Sequence, residues 1–332
     1  MTSTLRRLTA LLATTGLLAL TACGSDSSDS SDDDSGSAAG DSSTYPVTID
    51  TNFGSVEIDE APERVVTIGF NGQDFALALG VEPVGVREFL GYDAPNRPWA
   101  PDSVRGEKIP TVGAEELDVE KVASLKPDLI LGLNGYIDKQ TYGLLSDIAP
   151  TVAESETTAP GWKKQMHITG KALGLEDKAE DLVQKTEQLF EDAAEEHPEF
   201  EGKSAAFALG GSYSLGADDY RTAWLSDLGF TVPEKGGEVS EEKLGVFDKD
   251  VLIAEGVEDD VKNSALFQNL DVVKENRTVD VGSFSDDFAG ALGFNSPLSL
   301  PYVLEVAVPR LAAATDDDPS TKPAPYPEES AD

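Results

Sequence analysis

The sequence predicts an α/β protein built from two similar lobes joined by one long α-helix. Three observations carry this. Short apolar runs alternate with helical patterns in both halves of the chain; a 14-residue segment recurs in each half; and one amphipathic helix over 176–196 separates the halves. Strand–helix alternation of this kind belongs to parallel sheets covered by helices.

The chain has 332 residues. At its start, Arg6 and Arg7 precede an apolar and small-residue stretch, Leu8 to Leu20, too short and too early for a membrane span. The stretch ends in Leu20-Thr21-Ala22-Cys23, which resembles the lipobox of bacterial lipoproteins. Residues 1–22 are therefore expected to be a signal peptide, and Cys23 the lipid-bearing N-terminus. The alternative is a plain secretory signal followed by an incidental cysteine, which would leave a lone exposed thiol on an exported protein. Cys23 is the only cysteine, so no intramolecular disulfide can form. The Ser/Asp/Gly run that follows cannot bury a core, and 23–44 reads as a lipidated disordered tether.

Order is expected from 45 to 315. A hairpin, Val47–Ile49 with Ser55–Ile58, turns at Thr51-Asn52-Phe53-Gly54. Val65–Ile68 reads as a buried strand and Gln73–Leu79 as a helix closed by Gly80. Leu129–Leu131 is a second buried strand, with a helical stretch to Ile148. These elements form an N-terminal lobe over 45–157. Connecting helices occupy 158–200. The first runs from Trp162 to Leu173. The second, Glu176 to Glu196, repeats Ala179, Leu182, Val183, Thr186, Leu189, Phe190 and Ala193 at helical spacing before His197-Pro198 stops it. A C-terminal lobe over 201–315 contains strands at Ala205–Leu209, Val251–Ala254 and Val279–Val281 and helices at Asp219–Leu228 and Pro297–Ala314. The proline-rich acidic stretch 316–332 reads as a disordered tail.

The repeat aligns 118–131 with 240–253 without a gap, matching Glu120 to Glu242, Lys121 to Lys243 and Asp128 to Asp250. Upstream, Leu79-Gly80-Val81 resembles Leu228-Gly229-Phe230, in the same order. The first half has about 27 more residues between its two matching pieces, and these hold Arg87, Tyr92, Arg97 and Trp99. Two such lobes would leave a cleft between them, a natural ligand site.

The net charge of −37 repels nucleic acid and anionic headgroups, so a basic membrane patch is excluded and the lipid is the expected anchor. Apolar residues make up 39% of the chain, but no run after residue 30 approaches the roughly 18 that a membrane span needs. Enzyme signatures are lacking. Gly211-Ser212-Tyr213-Ser214-Leu215-Gly216 does not form a Gly-x-Ser-x-Gly elbow, and neither His-Glu-x-x-His nor a phosphate loop occurs. His167 and His197, the only histidines, lie on the connecting helices, which argues against a bare-metal site and a catalytic base.

Several phrases make the reading specific. Pro62-Glu63-Arg64-Val65-Val66, Leu79-Gly80-Val81-Glu82-Pro83-Val84-Gly85, Lys126-Pro127-Asp128-Leu129-Ile130 and Leu270 to Arg277 resemble the substrate-binding lipoproteins of bacterial ABC importers. Within that group the chain is similar to the class serving ferric siderophores, haem and vitamin B12, and Ser296-Pro297-Leu298-Ser299-Leu300-Pro301-Tyr302 is most like iron-siderophore binders. The resemblance implies class III periplasmic-binding-protein architecture: two Rossmann-like lobes, a single rigid connecting helix and a ligand in the cleft. It also implies a monomer, with one glutamate on each lobe docking on a permease dimer. Those glutamates would be Glu120 and Glu242, although a carboxylate in a helix's first turn also simply favours the dipole.

A siderophore pocket needs aromatic surface and a few cationic donors. Trp99 and Tyr136 fall where related binders place cleft aromatics. Arg87, Tyr136, Tyr213 and Phe284 each follow a strand at its carboxyl end, where open α/β sheets bind ligands, and Arg221 with Trp224 opens the next helix. The expected ligand contacts are thus Arg87, Trp99, Tyr136, Tyr213, Arg221 and Phe284. Plainer roles stand beside these: Trp224 in the core, Trp162 at the helix junction, Arg221 paired with Asp218 or Asp219, and Arg97 as a solvated loop charge. Basic residues are few. Ala114 stands where one hydroxamate pattern has an arginine, and Glu255-Gly256 where one relative has an arginine. A less anionic hydroxamate or mixed siderophore therefore fits better than a triscatecholate. Haem, with Tyr136 or Tyr213 as axial oxygen, or cobalamin is the alternative cargo. A surface-anchored hydrolase or a solute sensor is the remoter one. No cofactor is expected.

Overall fold

A computed structural model describes residues 44–89, 93–155 and 161–326. Cys23, the signal segment, all but the last residue of the tether, Tyr92 and residues 327–332 lie outside these. The N-terminal lobe opens with the antiparallel hairpin β1 (Val47–Thr51) and β2 (Gly54–Ile58). Gly54, at φ 125°, makes the turn that a side chain would strain. Then follow β3 (Val65–Thr67), α1 (Gly72–Ala78), β4 (Gly85–Val86), α2 (Val119–Ser124), β5 (Leu129–Ile137), α3 (Lys139–Ser146) and β6 (Thr151–Ser155). The strands lie in the order β4-β3-β5-β6, all parallel. Helices cover both faces of such a sheet, so Val65, Val66, Leu129 and Ile130 are apolar without alternation and all fully buried.

Two helices follow, α4 (Trp162–Ala172) and α5 (Glu176–Glu196). The bounds of α5 match the apolar spacing, and Ala179, Val183, Thr186 and Phe190 are its buried face. Leu189 belongs to the same sequence pattern but stands exposed, so the stripe is narrower than the spacing implies. The Lys163–Glu187 ion pair, at 2.5 Å, ties α4 to α5.

The C-terminal lobe comprises β7 (Ala205–Leu209), β8 (Tyr213–Leu215), α6 (Ala223–Asp227), β9 (Gly237–Glu238) and a 3₁₀ helix, Glu241–Phe247. It continues through β10 (Val251–Glu255), three single-turn helices α7 (Asp259–Lys262), α8 (Ala265–Gln268) and α9 (Asp271–Lys274), β11 (Thr278–Gly282), α10 (Asp287–Gly293) and α11 (Ser299–Thr315). Its sheet runs β11-β10-β7-β8-β9, with β7, β10 and β11 parallel and β8 and β9 antiparallel additions. The helix expected over 219–228 is shorter. The Thr222 hydroxyl donates to the carbonyls of Gly216 and Asp219, which holds 219–222 as a turn ahead of α6.

The sequence repeat is a structural repeat. The Asp128 carboxylate accepts from the amides of Glu63 and Arg64, at the start of β3. The matching Asp250 accepts from the Ser204 amide and hydroxyl, at the start of β7. Each aspartate thus joins a strand to its parallel neighbour at the same point. Gly80 (φ 78°) and Gly229 (φ 96°) close α1 and α6 in the same way. The next residue's amide reaches back five positions, Val81 to Ala76 and Phe230 to Leu225.

The tail expected to be disordered from 316 instead packs on the C-terminal lobe as far as Tyr326. The phenol of Tyr326 accepts from the Phe288 amide at 2.9 Å and its ring meets Phe288 edge-on. The buried Arg310 guanidinium donates to the carbonyls of Ala324 and Pro325. One aromatic anchor and one arginine outweigh the acidic composition. No helix among the described residues is long and apolar enough to cross a membrane.

Candidate ligand-binding cleft

The carboxyl ends of the central strands meet between the lobes. From β3 the chain turns at Gly69, where any Cβ would lie 1.9 Å from the Leu133 carbonyl oxygen, and presents Phe70. From β4 come Arg87 and Phe89. Along β5 the pairing with β6 is interrupted between Gly132 and Ile137. There Asn134 (φ 55°) and Tyr136 (φ 49°) take left-handed conformations uncommon outside glycine. The strain is offset by bonds: the Asn134 carbonyl accepts from the Phe70 amide, and its side-chain amide donates to Asn71. The result is a tyrosine ring 45% exposed at a strand end. Such outliers gather at ligand sites.

Aromatic rings from both lobes form one wall. Phe70 stacks on Phe89 at 3.8 Å between centroids and on Tyr136 at 5.8 Å. Phe89 meets Phe284 and Phe294 of the other lobe edge-on, at 6.4 and 6.2 Å. The Phe284 ring is seated on Gly293, where a Cβ would come within 2.2 Å of it. Arg221 lies 5.7 Å from the centroids of both Tyr220 and Phe284, within cation–π range. Beneath this wall the lobes are joined by polar contacts. Asp74, buried in α1, accepts from the Ser296 hydroxyl at 3.1 Å and from the Trp99 indole at 3.3 Å. Arg97 donates to the Asp287 carboxylate at 2.9 Å and to the Ser285 carbonyl.

The electrostatics centre on two arginines and one glutamate. Arg87 is 7% exposed and lies 4.6 Å above the Phe70 ring. Its guanidinium donates to the carbonyls of Ala114, Glu115 and Gly135 at 2.8, 2.6 and 2.9 Å. Burial lowers its pKa, though an arginine stays charged. Glu255, at the end of β10, is 1% exposed, and its Oε2 has no hydrogen-bond partner. Burial pushes its pKa up to about 7; Arg221 opposes the rise and Asp219 adds to it. The Arg221 Nε is likewise buried without a partner.

A raised carboxyl pKa makes stability pH-dependent. The unfolded chain loses the Glu255 proton near the ordinary carboxyl value of 4.5, the folded chain at about 7. Between these values the folded state holds more protons, so this contribution is full below pH 4.5 and is lost as pH rises through 7. Urea unfolding from pH 5 to 8 should show a loss of roughly 2–3 kcal/mol that Glu255→Gln removes. An identical pH slope in the variant would refute the assignment.

Of the six expected ligand contacts, Arg87, Tyr136, Arg221 and Phe284 belong to this cluster. Trp99 packs against the same hydrophobic cluster, with its ring 5.2 Å from Tyr302 and its indole bonded to Asp74. Tyr213 begins β8, paired with Leu209 at the carboxyl end of β7, and lines a pocket with Asp218 and Asp219, the latter near enough to Glu255 to raise its pKa. Arg221 forms no ion pair with Asp218 or Asp219; only its backbone amide bonds Asp219. Arg97, read as a solvated loop charge, is buried by its bond to Asp287. Trp224 and Trp162 are core residues. The sequence reading missed Phe70, Phe89, Tyr220 and Phe294. The first two follow β3 and β4, so the strand-end rule would have found them. No group of three His, Cys, Asp or Glu side chains fit to hold a metal occurs among the described residues.

Glu120, in the first turn of α2, and Glu242, in the 3₁₀ helix before β10, are both exposed and make no ion pair among the described residues.

Comparison with known proteins agrees with this geometry. Residues 76–283 match the periplasmic binding protein family. The chain is 29% identical over 309 residues to the probable siderophore-binding lipoprotein YfiY of Bacillus subtilis (strain 168), covering 83% of this chain and 90% of that protein. It is 25% identical to the iron(3+)-hydroxamate-binding protein YxeB of the same organism, covering 91% and 95%. Among solved structures it is similar to Streptococcus pneumoniae TIGR4 PiaA in complex with ferrichrome. The TM-score there is 0.68 at 27% identity, covering 82% of this chain and 99% of that one. These relatives are solute-binding proteins, not enzymes.

Proposed function

Because the chain belongs to the periplasmic binding protein family, we propose that it captures a ferric siderophore between its lobes and delivers it to the permease of an ABC importer. The observation that carries this is the two-lobed wall of Phe70, Phe89, Tyr136, Phe284 and Phe294, bordered by Arg221. Such a surface receives a bulky, partly apolar chelate and offers it a cation at one edge. Arg221 contacts the ligand. Arg87 contributes as the support that fixes the strand ends, since three of its donors already serve carbonyls. A hydroxamate or mixed siderophore of low charge is the best match, because Glu255 adds a carboxyl beside the Arg221 guanidinium. The likeness to the iron(3+)-hydroxamate-binding protein YxeB and to PiaA in complex with ferrichrome supports that class. The protein works as a monomer on the extracytoplasmic face of the cell membrane, held there by the lipid on Cys23. A two-chain anchor is stable where one chain is not. Glu120 and Glu242 meet the two halves of the permease.

Tryptophan fluorescence tests the cargo. Trp99 packs against the same cluster as Phe294 and Phe284, so a bound ferric chelate should quench it. Titration with ferric hydroxamates, ferric catecholates, haem and cobalamin should give saturable quenching with the hydroxamates at the lowest concentration. Quenching by haem or cobalamin alone would reassign the cargo, and none by any iron complex would end the proposal.

A further inference from the structure

Beside the aromatic wall, the N-terminal lobe bears a second, open cavity of about 390 Å³. It is built from the end of β4 and from the residues that the first lobe has in excess of the second. At its inner edge lies Gln73, the second residue of α1, only 2% exposed. The Gln73 Nε2 donates to the Phe70 carbonyl at 3.3 Å, which fixes the amide the other way round as an acceptor. Its Oε1 is buried and has no hydrogen-bond partner. A buried amide oxygen without a donor is costly, and an unfilled acceptor on a residue that lines a cavity points to a ligand that donates.

The rest of the lining says what kind of donor. Three carboxylates, Glu88, Asp93 and Glu107, face one ammonium, Lys108, which makes no ion pair among the described residues. Val86, Pro95 and Ile109 supply apolar wall between them. An acceptor at the back, an acidic rim and an apolar sleeve suit a short alkyl chain ending in an ammonium group. An anion would meet three carboxylates against one ammonium. The cavity also adjoins the cleft: Glu88 lies between Arg87 and Phe89, and Gln73 is bonded to Phe70.

We propose that this cavity is a subsite for an organic ammonium group, donated to Gln73 Oε1 and balanced by Glu88 and Glu107. In one form, which rests on the siderophore reading, the ammonium is a pendant arm of the chelate bound in the cleft. In the other it is a free alkyl diamine.

Two arms of one experiment separate these. The first titrates the full-length protein calorimetrically with a linear ferric trihydroxamate bearing a terminal amine and with its N-acetyl derivative, which has the same iron coordination. The amine form should bind roughly tenfold tighter, the effect of one charge-assisted hydrogen bond. The exposed-site variant Glu107→Gln should shrink that ratio toward one while leaving the N-acetyl affinity unchanged; Gln73→Leu should shrink it too, with any fall in N-acetyl affinity reporting the lost bond to Phe70. The second arm titrates cadaverine alone and reads the thermal midpoint. A rise in the wild type that is lost in Glu107→Gln assigns the site to a free amine. If neither trihydroxamate binds but cadaverine does, the siderophore reading falls and the subsite stands. Equal affinities for the two chelates together with no response to cadaverine overturn the subsite.

Discussion

Replacing both Glu120 and Glu242 with alanine is expected to abolish ferric-siderophore uptake while leaving ligand affinity unchanged. The two carboxylates occupy matched positions of the internal repeat, one on each lobe, and both stand exposed without an ion-pair partner among the described residues. Neither belongs to the aromatic cleft cluster. Truncating one partner of a charge pair that becomes buried on docking costs about 2–5 kcal/mol, so each single variant should lower uptake at least roughly tenfold and the pair should act together. Removing two exposed side chains should change folding stability by less than about 0.5 kcal/mol each. The competing explanation is local: a first-turn carboxylate favours the helix dipole by a few tenths of a kcal/mol. That explanation predicts a small stability loss and normal uptake. Radio-iron uptake by cells carrying the double variant, with ligand titration of the purified protein as control, separates the two. Normal uptake would remove Glu120 and Glu242 from any docking role.

What the sequence disclosed and what it hid follow from the range of the interactions involved. The bounds of α5 were legible because a period of 3.6 persists over 21 residues and His197-Pro198 ends it. The parallel cores were legible because strands covered on both faces are apolar throughout. By contrast β8 and β9 are three and two residues long and carry no pattern of their own. Arg97 looked like a surface charge because its carboxylate partner is 190 residues away, and no local window contains Asp287. The tail misled for the same reason. Its composition is that of a disordered segment, yet Tyr326 finds Phe288 across 38 residues. In the cleft, the strand-end rule located Arg87, Tyr136 and Phe284, and the opening of the next helix located Arg221. Tyr213 obeyed the strand-end rule as well: it pairs with Leu209 at the carboxyl end of β7 and lines the pocket it shares with Asp219. Glu255 was read as a missing arginine; its own burial and raised pKa could be seen only once β10 was in place.

Arg87→Leu should cost about 4 kcal/mol of stability, and Arg87→Lys should recover little of it. The guanidinium fork reaches three carbonyls on two separate stretches of chain, Ala114 and Glu115 on one and Gly135 on the other. Leucine fills part of the volume but leaves three carbonyls without their donor, each at a net cost of about 1–3 kcal/mol that does not add fully. Lysine keeps the charge, but a single ammonium on a flexible stem cannot match the planar fork. The consequence extends to the ligand. Gly135 precedes Tyr136, whose left-handed backbone is held only while its neighbours are fixed. Loosening that carbonyl releases the Tyr136 ring from its stack on Phe70. Affinity and stability should therefore fall together in both variants. A direct charge contact between Arg87 and the ligand predicts the opposite split, with Arg87→Lys close to wild type in urea unfolding and only modestly weaker in binding. A urea midpoint for Arg87→Lys equal to wild type would thus return Arg87 to the ligand and take it out of the framework that aims Tyr136 into the cleft.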